Sequence, residues 1–336
     1  MWIRSIFIAA CILGSSAEAR AQDAVARVVD VGPGLCVVIS IPGGYDMLYD
    51  AGHWNSSTCA AAVGQLVADD RVELVVLSHS DGDHLGELPE ILGSKRAGVV
   101  LMTGSRREDT AAYRNAIGAV GDAVADNTTV LNLETWPIEP GTDFQLGPAR
   151  VRFLAGWNHW DGTLSDRTLS TSELRNAISI VVRLEYAGRS ILLGGDTVGR
   201  AIDSPADTCG DAERFRVERH GQALKSDVLI AGHHGADNAS STCFIEAVAP
   251  EFVIFSAGND HEHPRQATAE RFLTANVPLQ NLFRTDRGDD EGGDEWGEGR
   301  VDGCTDGRGD DDIEIRLPVN PAQAVSVRYR SASGGC

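Results

Sequence analysis

Hydrophobic residues along this chain recur with two periods, and the order of those periods predicts the architecture. Alternating or continuous apolar runs predict strands at 25–31, 36–41, 46–50, 73–77, 98–102, 149–154, 178–186, 190–194, 227–231, 252–256, 312–317 and 324–330. Apolar residues at helical spacing predict helices near 57–69, 86–93, 108–119, 212–224, 241–248 and 265–275. Strand pairs precede a stretch of strands alternating with helices, and this order then repeats. It favours an α/β protein built as a four-layer αββα sandwich, with helices on both outer faces.

The predicted elements form a single domain over residues 22–336, preceded by a segment of different character. Residues 1–21 combine a basic Arg4, a short apolar run and small residues before Gln22, which indicates a secretory signal peptide. The apolar run is shorter than the roughly 20 residues needed to cross a bilayer, so a membrane anchor is disfavoured. A lipoprotein cleavage box ending at Cys11 would leave too short a signal. We therefore expect an exported protein, periplasmic or secreted, with no membrane segment in the mature form.

Two stretches interrupt the pattern and are interpreted as insertions. Residues 156–175 are polar and lack a clear period. Residues 286–311 are rich in glycine and aspartate, and a solvated loop is the simplest interpretation. The density of carboxylates also leaves a calcium site open there, although no EF-hand or nonapeptide spacing is present.

Cysteine usage agrees with export. The chain has seven cysteines, and removal of the signal segment would leave six, an even number that suggests up to three disulfides. Proximity along the sequence favours three pairs among the many that are possible: Cys36–Cys59, Cys209–Cys243 and Cys304–Cys336. No Cys-x-x-Cys spacing occurs, which disfavours a thiolate zinc site or a redox motif.

The residues that carry chemistry follow a predicted buried strand at 73–77. Four potential metal ligands occur within six residues: His79, Asp81, Asp83 and His84. They stand at the carboxyl end of the strand, where α/β folds place their sites, and Gly82 allows a tight turn between them. The first two can bind one cation and the last two another. Imidazole and carboxylate together suit zinc, manganese or iron, and the spacing disfavours a plain solvated loop.

Further candidate ligands follow other predicted strands. Asp196 comes after two glycines at a strand end and could bridge two cations, although a helix N-cap is the alternative. The next strand runs into His233 and His234, and the one after it leads to His261 and His263. Because the carboxyl ends of parallel strands share one edge of a sheet, we expect these side chains to lie together.

In this order, the motifs resemble the metallo-β-lactamase superfamily, and most closely the C-terminal hydrolase domain of the ComEC family of competence proteins. The segments that carry the resemblance are 30–34, 49–52, 79–84, 176–179, 195–196, 233–235, 263–264 and 284–286. The similarity extends over roughly residues 25–330. It implies the metallo-β-lactamase fold, two divalent metal ions (zinc or manganese) and a hydrolytic activity.

The resemblance also implies roles for single residues. It implies six metal ligands: His79, Asp81, Asp83, His84, Asp196 and His263. It implies three candidate catalytic residues: Asp83, His233 and His234. Which of the two neighbouring histidines is a metal ligand stays open, as does whether the other contacts the scissile group. Asn176 and Ser179 would lie near the site, and Asp30 and Asp50 would orient ligands or support the scaffold.

Two departures from the superfamily pattern are informative. The commonest motif has histidine where Asp81 stands, and a further histidine before the bridging aspartate, for which His159 is the nearby candidate. More oxygen ligands should shift the metal preference from zinc toward manganese. They also disfavour a β-lactamase proper.

The expected function is an exported metal-dependent hydrolase, a phosphodiesterase or nuclease-like enzyme that uses metal-activated water. The alternatives are hydrolysis of a small ester, lactone or β-lactam, and a binding protein without activity. The net charge of −20, of which the stretch 286–312 contributes −9, disfavours a nucleic-acid partner. It does not exclude one, because a bound metal pair would reverse the local charge and 27 arginines could form a phosphate track.

Overall fold

The computed structural model describes residues 22–157, 171–201, 204–205, 208–301 and 303–331. The strands are β1 (Ala24–Val28), β2 (Cys36–Ile41), β3 (Tyr45–Ala51), β4 (Arg71–Leu77), β5 (Arg96–Met102), β6 (Thr129–Asn132), β7 (Asp143–Leu146), β8 (Ala149–Ala155), β9 (Val181–Tyr186), β10 (Arg189–Leu193), β11 (Val228–Ile230), β12 (Phe252–Phe255), β13 (Leu282–Arg284), β14 (Ile313–Leu317) and β15 (Ser326–Tyr329). The α-helices are α1 (Thr58–Leu66), α2 (Gly82–Leu85), α3 (Leu88–Ser94), α4 (Ala111–Ala125), α5 (Thr171–Ala177), α6 (Asp211–His220), α7 (Thr242–Val248) and α8 (Gln266–Thr274).

The strands form two sheets of similar design. The first has the order β15-β14-β1-β2-β3-β4-β5-β6 and the second the order β13-β12-β11-β10-β9-β8-β7. In the first, pairing is antiparallel from β15 to β3 and parallel from β3 to β6. In the second, pairing is parallel from β13 to β10 and antiparallel from β10 to β7. Each sheet thus has an antiparallel half and a parallel half, and crossover connections join the strands of the parallel half.

Alternate residues of the central strands face two different apolar layers, as the period of two along a strand requires. In β4, Leu74 and Val76 lie in the core between the sheets, whereas Val75 packs with residues of α1, α3 and α4. In β10, Ile191 lies in the same central core, whereas Leu192 packs with residues of α7 and α8. The predicted αββα sandwich is therefore confirmed.

The secondary structure differs from the prediction at the sheet edges and in the insertions. The prediction missed β6, β7 and β13, because each has only three or four residues and too few apolar positions to reveal a period. The interval 156–175 is not wholly irregular, since α5 begins at Thr171; residues 158–170 lie outside the described residues. The interval 286–311 is not simply solvated, because Asp286, Glu295 and Trp296 are buried.

Two disulfides connect helices to their surroundings. Cys36–Cys59 joins β2 to α1, and Cys209–Cys243 joins the start of α6 to α7. Both pairs are those that sequence proximity favours. Cys304 is also disulfide-bonded, but its expected partner Cys336 lies outside the described residues. Disulfides of this kind are typical of proteins outside the cytoplasm.

The predicted signal segment, residues 1–21, lies outside the described residues, so its prediction stays untested. Among the residues that are described, no helix has both the length and the apolar character needed to cross a membrane.

Replacing Asp46 in β3 with asparagine should stabilise the fold at neutral pH. Asp46 is 2% exposed, and its Oδ1 has no hydrogen-bond partner among the described residues. Burial, reinforced by the carboxylates of Glu73 and Asp69, raises the pKa of Asp46 from 3.8 to about 6. Ionisation therefore costs stability as the pH rises through this interval, and the cost is constant above it. We expect Asp46→Asn to raise the free energy of unfolding by about 1–3 kcal/mol at about pH 7.5.

At about pH 3 the carboxyl is protonated in both the folded and the unfolded chain, so the gain should vanish there. Denaturant unfolding of both proteins at the two pH values measures the difference. A gain of equal size at both would contradict this account.

Candidate metal centre

The candidate site lies at the edge where the carboxyl ends of the parallel strands of both sheets meet. The segment with His79 and His84 follows β4 of the first sheet. From the second sheet, Asp196 follows β10 and His234 follows β11, while His263 belongs to the loop after β12. Strand direction and sheet order therefore bring together residues that are far apart in the sequence.

Hydrogen bonds between the two sheets fix the loops at this edge. The Tyr49 hydroxyl donates to the Ile180 carbonyl at 2.6 Å, and the Ile180 N–H donates to the Ser78 carbonyl at 2.9 Å. The Ser256 hydroxyl donates to the Gly34 carbonyl at 2.8 Å. These contacts join segments from opposite sheets, so the relative positions of the site loops are set by the sandwich itself.

Four ligand-type side chains converge at the centre of the site. One atom from each of Asp83, His84, Asp196 and His234 lies within 4.8 Å of the others. Nε2 of His84 is 3.1 Å from Oδ1 of Asp196 and 3.2 Å from Nε2 of His234. Nε2 of His234 is 3.5 Å from both Asp83 Oδ2 and Asp196 Oδ1. A set of two imidazoles and two carboxylates this close together suits a divalent cation.

A second group of ligand-type atoms shares Asp196 with the first. Nε2 of His79 is 3.7 Å from Asp196 Oδ2 and 4.0 Å from Asp81 Oδ2. Asp196 thus directs one oxygen toward His84 and the other toward His79, which is the arrangement expected of a bridging carboxylate. Its backbone N–H donates to the Ser179 hydroxyl at 3.2 Å, so Ser179 lies beside the site as expected.

Unsatisfied polar atoms show that these residues fit a metal. Nε2 of His79 is buried and has no hydrogen-bond partner among the described residues. Oδ1 of Asp196 also lacks one, since His84 Nε2 lies 3.1 Å away without the alignment that a hydrogen bond requires. Leaving such atoms unpaired in the interior costs about 1–3 kcal/mol each. A cation coordinated by both side chains would remove that cost.

Asp50 holds His84 in the orientation that the cluster needs. Nδ1 of His84 donates to Oδ2 of Asp50 at 2.8 Å, which leaves Nε2 facing Asp196. Asp50 also accepts from the Ser78 N–H at 2.6 Å and from the Ser78 hydroxyl at 2.7 Å. A carboxylate behind a ligating histidine fixes the tautomer and raises the basicity of the ligand. The Asp30 carboxylate, by contrast, accepts hydrogen bonds from the backbone N–H groups of Gly32 and Gly309 and supports the scaffold.

The structure separates the roles of the paired histidines. Nδ1 of His234 donates to the Ser256 carbonyl at 2.8 Å, so its Nε2 points into the cluster. Nδ1 of His233 lies 2.9 Å from Asn238 Oδ1, and its Nε2 lies 3.2 Å from Asn176 Nδ2. Only His234 therefore belongs to the central group. Both residues have positive φ, 51° and 55°, a strained conformation that functional sites often retain.

The other predicted histidines lie farther out. The ring of His263 is 5.9 Å from that of His233 and 6.4 Å from that of His234, so His263 forms part of the wall and is not in the central group. The His261 side chain is 69% exposed. His159 lies outside the described residues.

The metallo-beta-lactamase superfamily matches residues 29–258, which include both groups of ligand-type side chains. This chain belongs to the metallo-beta-lactamase superfamily. The curated relatives of this superfamily member include "Competence protein ComA" of Neisseria gonorrhoeae, 28% identical over 274 residues, which are 79% of this chain and 31% of that protein. They also include "Recombination protein 2" of Haemophilus influenzae (strain ATCC 51907 / DSM 11121 / KW20 / Rd), 28% identical over 263 residues, 75% of this chain and 27% of that protein. The resemblance to ComEC-family competence proteins is confirmed, and the chain spans less than a third of either relative's length.

Among solved structures, CmlA, a diiron beta-hydroxylase from Streptomyces venezuelae, aligns with a TM-score of 0.45 and 16% sequence identity. The alignment covers 79% of this chain and 53% of that one.

In this metallo-beta-lactamase superfamily member, two arginines that the sequence analysis missed contact Asp81. Nε of Arg175 donates to Asp81 Oδ1 at 2.5 Å, and Nη1 of Arg107 lies 3.3 Å from the same oxygen. Arg175 lies 94 residues from Asp81 in the sequence, inside the apparently irregular insertion, so no local pattern marks the pair. The two guanidiniums neutralise Asp81 and leave its other oxygen facing His79.

The charged side chains of the central group shift one another's pKa values. Burial opposes the charged form of His84, but Asp196, Asp50 and Asp83 outweigh it and raise the pKa of His84 well above its ordinary value. Burial likewise acts against ionisation of Asp83 and Asp196, but the imidazoles, His84 foremost, lower both carboxyl pKa values. The carboxylates are therefore ionised, as metal ligands must be.

The two groups open into a cleft of about 470 Å³. Its lining includes Trp54, Asp81, Asp83, Arg107, Asn176, Asp196, His233, His234, His263 and Arg265. Aromatic, imidazole and guanidinium side chains thus surround the candidate ligands. The cleft is large enough for a small polar substrate to reach these ligands.

Replacing Asp50 with asparagine should weaken metal binding by about 10- to 100-fold. Asparagine tolerates the positive φ of 58° at this position, so the variant should keep the local backbone conformation. The change removes the carboxylate that orients His84. Titration of the metal-free protein with manganese or zinc measures the affinity. Asp46→Asn is the matched control, because Asp46 lies near the opposite end of the same strand, and this variant should bind the metal with the affinity of the wild type. Wild-type affinity in Asp50→Asn would mean that the contact does not position His84.

Proposed function

We propose that this chain is a metal-dependent hydrolase that cleaves phosphodiester bonds outside the cytoplasm. The observation that carries the proposal is the convergence of Asp83, His84, Asp196 and His234 at the floor of a cleft with arginines in its walls. Membership of the superfamily supports hydrolysis. The relatives that are competence and recombination proteins by name support a phosphodiester substrate.

Two divalent cations would be held by two sets of side chains that share one carboxylate. His79, Asp81 and Asp196 would hold the first; Asp83, His84, Asp196 and His234 would hold the second. When bound, such a pair lowers the pKa of a water molecule toward neutrality and polarises the substrate oxygen. Three carboxylates among the ligands favour manganese over zinc.

The remaining residues of the site bind and orient the substrate. Asp83, whose side chain is 28% exposed, faces the cleft and can orient the attacking water through a hydrogen bond to its free oxygen. Burial lowers the pKa of His233, so its imidazole is neutral and accepts a hydrogen bond from Asn176. The second N–H of the Asn176 amide can then donate to a substrate oxygen. We assign His234 to metal binding and His233 to the substrate wall.

The arginines of the cleft, together with the cations that its carboxylates would hold, would favour an anionic substrate over a neutral ester or lactam. Arg107 and Arg265 line the cleft, and Arg175 lies behind Asp81. The rest of the surface is acidic, with a formal net charge of −20 for the chain. Long-range attraction to a polyanion is therefore weak, and we propose a compact phosphodiester or the end of a nucleic-acid strand as the substrate.

Export is part of the proposal. The described disulfides Cys36–Cys59 and Cys209–Cys243 suit an oxidising compartment. A signal peptide over residues 1–21 would take the chain there. We propose a periplasmic or secreted mature protein beginning near Gln22.

Activity assays test the reaction directly. We expect the mature protein with manganese to hydrolyse bis(p-nitrophenyl) phosphate and linear DNA but not nitrocefin. Asp83→Asn should lower kcat by at least about 100-fold, because it removes both a ligand charge and the carboxylate that orients the attacking water. Asp122→Asn, an exposed change on α4, is the control and should be unaffected. Cleavage of the lactam alone, or a wild-type rate in Asp83→Asn, would refute the proposal.

Substitution of two neighbouring arginines distinguishes an effect on substrate recognition from an effect of surface charge. Arg107 lines the cleft, whereas Arg106 is 61% exposed and pairs with Glu134. With manganese at saturating concentration, Arg107→Gln should raise KM for the phosphodiester by about tenfold with little change in kcat. A charge-assisted contact to the substrate is lost, while Arg175 still pairs with Asp81. Arg106→Gln should leave both constants unchanged. Equal effects of the two substitutions would show that only the overall field matters.

A further inference from the structure

A second cluster of ligand-type side chains lies outside the cleft, in the acidic segment after β13. One carboxylate oxygen from each of Asp286, Asp289 and Glu295 lies within 4.8 Å of the others. Asp286 and Glu295 are 1% and 3% exposed, and Asp289 is partly buried. The set contains only oxygen donors, in contrast to the imidazole-rich centre of the cleft.

Two oxygens of this cluster are buried without a hydrogen-bond donor. Oδ1 of Asp286 accepts from Nε of Arg284 at 2.6 Å, but Oδ2 has no partner within the described ranges. The same is true of Oδ2 of Asp289. In the ionised form a carboxylate can only accept, so the neighbouring carboxylates cannot satisfy these oxygens for each other. A cation bound among them would satisfy both oxygens.

The arginines of the segment do not neutralise its carboxylates. From residue 284 to residue 300 the chain has seven acidic residues and three arginines. Arg284 pairs with Asp286 and Glu295, and Arg300 pairs with Asp290 and Glu295. The third, Arg287, pairs with Asp311. Within the described ranges, Asp289 therefore forms no ion pair of its own.

We propose that Asp286, Asp289 and Glu295 bind a calcium ion. Hard oxygen donors without histidine or cysteine select calcium or magnesium over the softer transition metals. Calcium–oxygen distances of about 2.3–2.6 Å place opposite ligands about 5 Å apart, which the present spacing accommodates. Magnesium requires a tighter octahedron and usually keeps several waters, so it suits this partly enclosed carboxylate set less well.

The calcium ion would hold the acidic segment against the wall of the cleft. The backbone N–H of Glu262 donates to the Glu291 carboxylate at 2.6 Å, and the backbone N–H of Trp296 donates to the Pro264 carbonyl at 2.8 Å. His263 lies between these two contacts. The site would therefore stabilise the loop that carries His263, at a distance from the cleft's own metal ligands.

Calcium binding to the metal-stripped mature chain tests the proposal, by isothermal titration calorimetry and by thermal unfolding with calcium chloride. The wild-type chain should bind one ion at this site and gain several degrees in Tm. Asp289→Asn should bind calcium at least about tenfold more weakly, because it removes one ligand charge. Without calcium it should unfold at a higher temperature than the wild type, since it relieves repulsion between carboxylates.

Two further variants separate this site from surface charge and from the cleft. Asp290→Asn removes a neighbouring exposed charge and should bind calcium within about threefold of the wild type. His84→Ala disables the cleft cluster and should keep the calcium response. Absence of calcium binding to the wild type, its persistence in Asp289→Asn, its loss in His84→Ala, or a larger gain in Tm from magnesium would each overturn the proposal. No outcome depends on hydrolytic activity.

Discussion

The candidate metal centre depends on one buried carboxylate, which lies among imidazoles from both sheets. Asp196 follows a strand of the second sheet and is 4% exposed. Its oxygens lie 3.7 Å from His79 and 3.1 Å from His84, both from the first sheet, and 3.5 Å from His234 of its own sheet. An unpaired charge at such a position costs several kcal/mol. Closure of the sandwich is what supplies the compensating groups, so the fold and the site form together.

Local backbone features allow the loops to approach this closely. Gly195 has φ of 51°, and a Cβ atom there would come within 2.6 Å of the Ser78 side chain. Only glycine fits both requirements. On the opposite side, His233 and His234 adopt left-handed conformations that turn their rings in different directions, one to the cleft wall and one to the central group. Strain in these residues is compensated by hydrogen bonds to Asn238 and Ser256.

The sequence was sufficient to predict the sandwich, because buried strands have clear periods. It also indicated which residues follow the strands at one edge, although His263 lies outside the central group that the structure shows. It was not sufficient to distinguish His233 from His234, since that distinction depends on long-range hydrogen bonds. The arginines beside Asp81 were missed for the same reason. The acidic segment was interpreted as solvated because its composition is polar, yet Asp286 and Trp296 are buried there. Composition does not reveal that a polar residue is buried when its cost of burial is offset by specific hydrogen-bond or ion-pair partners. The edge strands were missed because they are too short to show a hydrophobic period.

Anomalous diffraction from crystals of the mature protein loaded with manganese would locate the ions directly. We expect two peaks, about 3.5–4 Å apart, with the carboxylate of Asp196 between them. One peak should contact His79 and the other should contact His84 and His234. A single peak, or peaks that leave Asp196 uncoordinated, would show that Asp196 does not bridge two cations.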